Sequence, residues 1–243
     1  MSSSLGSTIE QTPSLRIAAA AAPLRQQVVA KLSEAIAEGR LRPGVRLIER
    51  ELCDQLGVSR TSLREALREL ETDGIVTSLA NRGVVVSTIS ARGAREIYEL
   101  RAMLESLLAE RFAALASSKQ ITELERRVEL LADSYETGTG LVAAKTAFYD
   151  TLVAGAEHDL AASMLRSIQL RASQLRVMTL ADPDRSRHSI AEIRALLRAI
   201  KRRDPAAAAE AARTHVQNAG ALAMRLLERG QQAADVPPKA GRR

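Results

Sequence analysis

Arg60, Thr61, Arg64 and Arg68 fall on one face of a helix, and Leu63, Ala66, Leu67 and Leu70 fall on the other. An apolar face anchors such a helix while guanidinium groups and a hydroxyl point outward. Insertion into a DNA major groove requires that arrangement, because a guanidinium fork matches the O6 and N7 acceptors of guanine. Glu65, Glu69 and Glu71 also point out, so an ordinary solvated helix has the same composition. The surrounding elements have to decide. Enzyme chemistry finds little support elsewhere: the three His have no partner at catalytic spacing, and the chain holds no Gly-rich phosphate loop and no G-x-S-x-G.

The elements needed to hold that helix are present in order. Leu52 and Leu56, four apart, form the apolar side of a short helix that ends at Gly57, a residue suited to the left-handed C′ position. Ser59 can cap the helix that follows. Upstream, Pro23 opens a helix whose stripe Val28, Val29, Leu32, Ala35, Ile36 runs to Gly39. Pro43-Gly44 marks a turn, and Arg46-Leu47-Ile48 can form a short strand. After Gly74 come two β-branched runs, Ile75–Ser78 and Val84–Ser87, flanking Ala80-Asn81-Arg82-Gly83. That is a hairpin with a polar, Arg-bearing tip. Together these pieces predict a winged helix-turn-helix over residues 23–90, preceded by a disordered tail at 1–22.

Composition points to helices beyond it. Hydrophobic residues make up 46% of the 243 and aromatic residues only 2%, with no Trp, which favours packing through Leu and Ala. The net charge is +6, yet residues 1–90 carry 11 Lys and Arg against 10 Asp and Glu, so arrangement rather than bulk charge argues for DNA. The single Cys53 excludes an internal disulfide and is expected to be small and buried. No apolar run reaches the ~20 residues of a membrane span, and no convincing signal peptide opens the chain; a cytoplasmic protein is expected. Six helices are predicted, at 91–117, 119–137, 140–155, 159–180, 186–203 and 205–229, with breaks such as Asp182-Pro183 and Asp204-Pro205. The expected fold class is mainly α, an N-terminal winged helix-turn-helix domain plus a C-terminal all-α antiparallel helical bundle at 91–230, with a disordered tail at 231–243.

Over residues 23–87 the chain resembles the N-terminal domain of GntR-type bacterial transcription regulators. Residues 98–116 (YELRAMLESLLAERFAALA), 147–159 (AFYDTLVAGAEHD) and 192–216 resemble the helical effector domain of the FadR subfamily, called FCD. Six helices are similar to the shorter VanR-type branch. The resemblance implies double-stranded DNA as partner, a palindromic operator and a homodimer. It implies Arg50, Arg60 and Arg64 as contacts to bases and phosphates, with Thr61 and Ser62 in support; Ser62 stands where many relatives carry Pro. Asn81, Arg82 and Gly83 would approach the minor groove. Arg64 is the first choice for guanine readout, Arg60 can share it, and Arg50 can instead position the helix.

Family members commonly hold a divalent metal with one Asp and three His, and the metal holds a carboxylate effector. Here the motif D-x-x-F-H reads Lys145-Thr146-Ala147-Phe148-Tyr149, the next expected His is Ile193, and only His215 remains. One imidazole does not hold a divalent ion, and an ammonium repels it. No metal and no other cofactor is therefore expected. By the same resemblance Arg101, Lys145, Tyr149 and His215 would form a pocket of hydrogen-bond donors for a small anionic metabolite, such as a carboxylate. The bland alternatives are an Arg101–Glu105 pair along the helix, a solvent-directed Lys145 and a core Tyr149. The expected function is a ligand-responsive transcription repressor; the alternative is an architectural DNA-binding protein without ligand response.

Overall fold

The computed structural model of the chain describes residues 22–180 and 183–234. Three helices and a two-stranded ribbon come first: α1 (Ala22–Ala37), α2 (Glu49–Leu56), α3 (Arg60–Thr72), β1 (Val76–Leu79) and β2 (Gly83–Val86). Six helices follow among the described residues: α4 (Ala91–Leu115), α5 (Ser118–Thr137), α6 (Leu141–Ala156), α7 (Asp159–Leu180), α8 (Pro183–Lys201) and α9 (Pro205–Ala234). The fold is mainly α, a winged helix-turn-helix joined to an all-helical domain.

Local chemistry sets the corners of the first unit. Gly57 takes φ 65° and returns its N–H to the Cys53 carbonyl, which ends α2. Two residues on, Ser59 starts α3, its Oγ accepting the Ser62 N–H at 3.1 Å. Leu63, Ala66, Leu67 and Leu70 are buried against Val28, Leu32 and Ile36 of α1 and against Ile75, Val76 and Val86. Truncating one of these leucines to Ala would cost about 2–5 kcal/mol. The ribbon pairs Val76 with Val86 and Leu79 with Gly83, and its tip turns through Asn81 at φ 64° and Gly83 at φ 73°. The expected strand near Arg46 is an isolated bridge from Arg46 to Val85, supported by Leu47 N–H donating to the Val84 carbonyl at 2.8 Å.

In the second unit α4 packs against α6, α7 and α9, and α8 fills between α5 and α9. Leu108, Phe112, Leu124, Leu131, Leu152, Leu165 and Ile200 form its centre. Phe112 lies so close to α6 that a Cβ on Gly155 would stand 2.4 Å from its ring. Ser117 and Gln120 form a capping box at the start of α5, and Asp204 caps α9 through the Ala207 N–H at 3.0 Å, with Pro205 in the first turn.

Three expectations need correction. α8 begins at Pro183 rather than 186, because a proline that stops one helix also fits the first turn of the next. α9 continues through residues 231–234, within the stretch expected to be a disordered tail; Gln231, Gln232, Ala233 and Ala234 are good helix formers and Pro237 is the first breaker. Cys53 is half-buried at the edge of the winged-helix core, not enclosed. The expected tails at 1–21 and 235–243 lie outside the described residues.

The two units are fastened through α7. Arg171 Nε donates to the Asp73 carbonyl at 2.6 Å, Gln174 Nε2 donates to the Ile75 carbonyl at 3.3 Å, and Leu170 packs against the winged-helix core. Both carbonyls lie in the short link between α3 and β1.

Candidate nucleic-acid interface and helical-domain cavity

The outer face of α3 presents Arg60, Thr61, Arg64 and Arg68 to solvent, and α2 adds an exposed Arg50. The acids that leave the sequence ambiguous are partly drawn away. Glu69 pairs with Arg25 of α1 at 3.0 Å, and Glu71 accepts the Ser78 N–H at 2.8 Å, tying α3 to the wing. Ser62 is turned to the helix cap, its hydroxyl 3.0 Å from Ser59 Oγ, so its first duty is structural. Asn81, Arg82 and Gly83 are exposed at the wing tip, with the Arg46 guanidinium alongside Gly83. Sequence reasoning passed over Glu49, whose two carboxylate oxygens each accept from Arg64 Nε at 3.0 Å. Fifteen residues and a turn separate the two, so no helical spacing announces the pair.

In the helical domain, Arg101 and Glu105 of α4 are both buried and pair at 2.8 Å. Tyr149 of α6 donates to the other Glu105 oxygen at 2.9 Å and accepts from Arg101 Nη2 at 3.3 Å. Burial opposes the Arg101 charge, yet Glu105 and the two neighbouring tyrosines outweigh it and hold the guanidinium charged more firmly than usual. Opposite, Glu192 of α8 gathers His215 Nδ1 at 2.7 Å, Asn218 Nδ2 at 2.7 Å and Arg185 Nη1 at 2.9 Å. Partial burial would raise the Glu192 pKa, but the bonds from His215, Asn218 and Arg185 bring it down to about 2.

Between the two clusters lies a cavity of about 20 Å³, room for roughly one water. Its wall includes Arg101, Lys145, Arg185, Ser189 and His215, three of them cations, and no acid among the described residues. The Lys145 ammonium sits 5.3 Å from the Tyr135 ring centroid, a cation–π contact. Tyr135 OH and Ser189 Oγ are 2.8 Å apart.

Of the four expected pocket residues, Arg101, Lys145 and His215 line this cavity; Tyr149 does not, being committed to Glu105 inside the core. His215 also departs from its expected part as a donor. Burial lowers its pKa, the Lys145 and Arg185 charges add to that, and the Glu192 bond only partly offsets them. Its ring is neutral at pH 7. Because ionised Glu192 only accepts, Nδ1 carries the proton and Nε2 is left as an acceptor. Sequence reasoning missed Arg185, Glu192 and Tyr135. Arg185 and Glu192 are seven apart, beyond the i+4 pairing that a sequence reveals.

A divalent metal does not fit here. The wall carries three cations, the cluster's carboxylates are bound to Arg101 and Arg185, and Ile193 is sealed in the apolar core. His188 lies exposed with Nδ1 on the Asp184 carbonyl, and His158 caps α7. Among the described residues no three His, Cys, Asp or Glu are grouped to hold an ion.

An arginine-bearing recognition helix in a winged helix-turn-helix, carried by a helical domain with a cation-lined cavity, is the construction of a DNA-binding transcription regulator rather than an enzyme. The chain belongs to the GntR family: residues 24–86 match the bacterial regulatory proteins of the gntR family and residues 96–218 match the FCD domain. It is 33% identical over 185 residues to a Paenarthrobacter nicotinovorans protein named "Probable D-xylose utilization operon transcriptional repressor", covering 74% of this chain and 80% of that one. The HTH-type transcriptional regulator YdhC of Bacillus subtilis (strain 168) is 25% identical over 213 residues, 86% of this chain and 95% of that one. Among solved structures, E. coli McbR/YncC has the same fold, with a TM-score of 0.73 at 23% identity over 86% of this chain and 98% of that one. No helix among the described residues is long and apolar enough to cross a membrane.

Proposed function

We propose that the protein is a cytoplasmic, homodimeric repressor that binds a palindromic operator and releases it when a small anionic metabolite enters the helical domain without a metal. The observation that carries this reading is the cavity wall, where Arg101, Lys145 and Arg185 converge and no acid is found among the described residues. Charge-assisted hydrogen bonds to a carboxylate or phosphate are the chemistry such a wall suits. Related regulators named as repressors, of D-xylose utilization and of the gluconate operon, support the sign of the response.

The outward arginines of α2, α3 and the wing support the DNA end of this reading. Arg60, Arg64 and Arg50 reach base edges and phosphates, Thr61 assists, and Asn81 to Gly83 lie toward the minor groove. Two copies related by a two-fold axis would seat their α3 helices in successive major grooves. Coupling runs along α7. Thr179 lines the cavity, and earlier on the same helix Arg171 and Gln174 hold the carbonyls that follow α3. A cavity of about 20 Å³ must open to take a metabolite, and opening moves the helices around it. The ligand favours release only by binding that opened state more tightly.

The test is a thermal-shift screen of small organic acids and phosphorylated metabolites, with and without chelator, followed by operator binding in the presence of each hit. A chelator-insensitive hit that weakens operator binding, and fails to do so in Arg101→Ala and Lys145→Ala, supports the proposal. Hits that need a metal contradict it. One observation favours a second reading, an architectural DNA-binding protein without ligand response: the cavity is water-sized and Arg101 already has Glu105. Equal competition by unrelated DNA would decide for it.

A further inference from the structure

Arg50, Arg60 and Arg68 make no ion pair among the described residues, whereas Arg64 is bound at Nε by both oxygens of Glu49, each at 3.0 Å. The Arg64 side chain is still 60% exposed and that of Glu49 32%, so the pair stands at the reading face and not in the core. A carboxylate there is a liability for DNA binding, since it repels phosphates. It needs a compensating use.

We propose that Glu49 is a positioning residue for base readout: it clamps Arg64 at Nε and leaves the two terminal nitrogens as a fixed outward fork for one guanine. The inference rests on the reading of Arg64 as a base contact. A guanidinium has five N–H donors, and guanine recognition needs two of them, spaced for O6 and N7. With Nε–H taken, no described residue claims the terminal N–H groups of Arg64, and they form the edge left to offer. The clamp also fixes rotamers before DNA arrives, so less freedom is lost on binding. Glu49 is itself suited to its place, the first turn of α2, where the helix dipole favours a carboxylate.

The experiment compares wild type, Glu49→Gln, Glu49→Ala, Arg64→Ala and the double Glu49→Ala/Arg64→Ala. Each is titrated, at one salt concentration, against duplexes that the wild-type protein selects from a randomised pool. The same duplexes with each base pair replaced in turn, and random-sequence DNA, complete the set. Arg64→Ala should lose discrimination at one G·C pair by roughly 5- to 150-fold. Glu49→Ala should lose about tenfold at that same pair, a good part of the bidentate readout, while binding random DNA as well as wild type or better. Glu49→Gln, which keeps an acceptor, should fall between, and the double variant should match Arg64→Ala. Full discrimination by Glu49→Ala overturns the proposal, as does tighter binding to the selected duplexes, which would make Glu49 a latch. Parallel loss on selected and random DNA also overturns it, since that is the mark of a merely structural contact. If Arg64→Ala loses discrimination and Glu49→Ala does not, only the clamp falls. If Arg64→Ala keeps it, the reading of Arg64 falls and the clamp with it.

Discussion

Replacing Glu105 by Gln is the sharpest probe of the buried cluster. A glutamine side chain there is nearly the same size and can still accept the Tyr149 hydroxyl, so packing is kept while one charge is removed. Arg101 and Glu105 have side-chain exposures of 6% and 3%, and the guanidinium is held firmly in its charged form. It cannot escape by losing its proton. Removing one partner of such a buried pair costs about 3–5 kcal/mol, because the other charge is left uncompensated. For a chain of this size about 1 kcal/mol moves the melting midpoint by roughly 2–4 °C, so a fall on the order of 6–20 °C is expected. Differential scanning calorimetry of the wild type, Glu105→Gln and the double Arg101→Met/Glu105→Gln provides the comparison. The double variant should recover much of the loss, since two apolar or neutral groups need no counter-charge. A Glu105→Gln midpoint within about 2 °C of wild type, a change worth no more than about 1 kcal/mol, would refute the argument that Arg101 depends on Glu105.

Three further outcomes follow from the same geometry. His215 has a folded-state pKa below its ordinary value, so the unfolded chain binds the extra proton first. That contribution is present above about pH 6.5 and declines as pH falls below it; Glu192, lowered to about 2, adds a second decline below about pH 4.5. Urea melts from about pH 7.5 to about pH 5.5 should show falling stability in the wild type and a shallower fall in His215→Gln, and equal slopes would contradict the assignment. Gly155→Ala would place a Cβ 2.4 Å from the Phe112 ring and should destabilise the helical domain by about 1–3 kcal/mol through overpacking, read by thermal melting; an unchanged midpoint would show that Phe112 has room to move. Arg171→Ala removes the 2.6 Å bond to the Asp73 carbonyl and should leave anion-induced thermal shifts intact while reducing the anion's effect on operator affinity; unchanged coupling would remove α7 as the connection.

The reading head is legible because its signals are local. A 3.6-residue apolar stripe, a Gly stop, a Ser cap and a switch to β-branched alternation each act within a few residues, and all agree. The Arg101–Glu105 pair is legible for the same reason, being four apart on one helix. The Glu49–Arg64 clamp is not, because a turn between two helices brings its members together. The cavity is half legible. Resemblance puts Arg101, Lys145 and His215 in one chamber, but packing decides that Tyr149 turns to Glu105 and that His215 spends its proton on Glu192. Pro183 misleads because proline carries two meanings, an end and a beginning.

Whether an anion alone drives release from DNA is decided by operator binding of the wild type, Arg101→Ala and Lys145→Ala, titrated in excess chelator with the anion found by the thermal-shift screen. The wild type should release the duplex at anion concentrations where both variants stay bound. Release by the variants at the same concentration, or release by the wild type only after a divalent metal is restored, would contradict it.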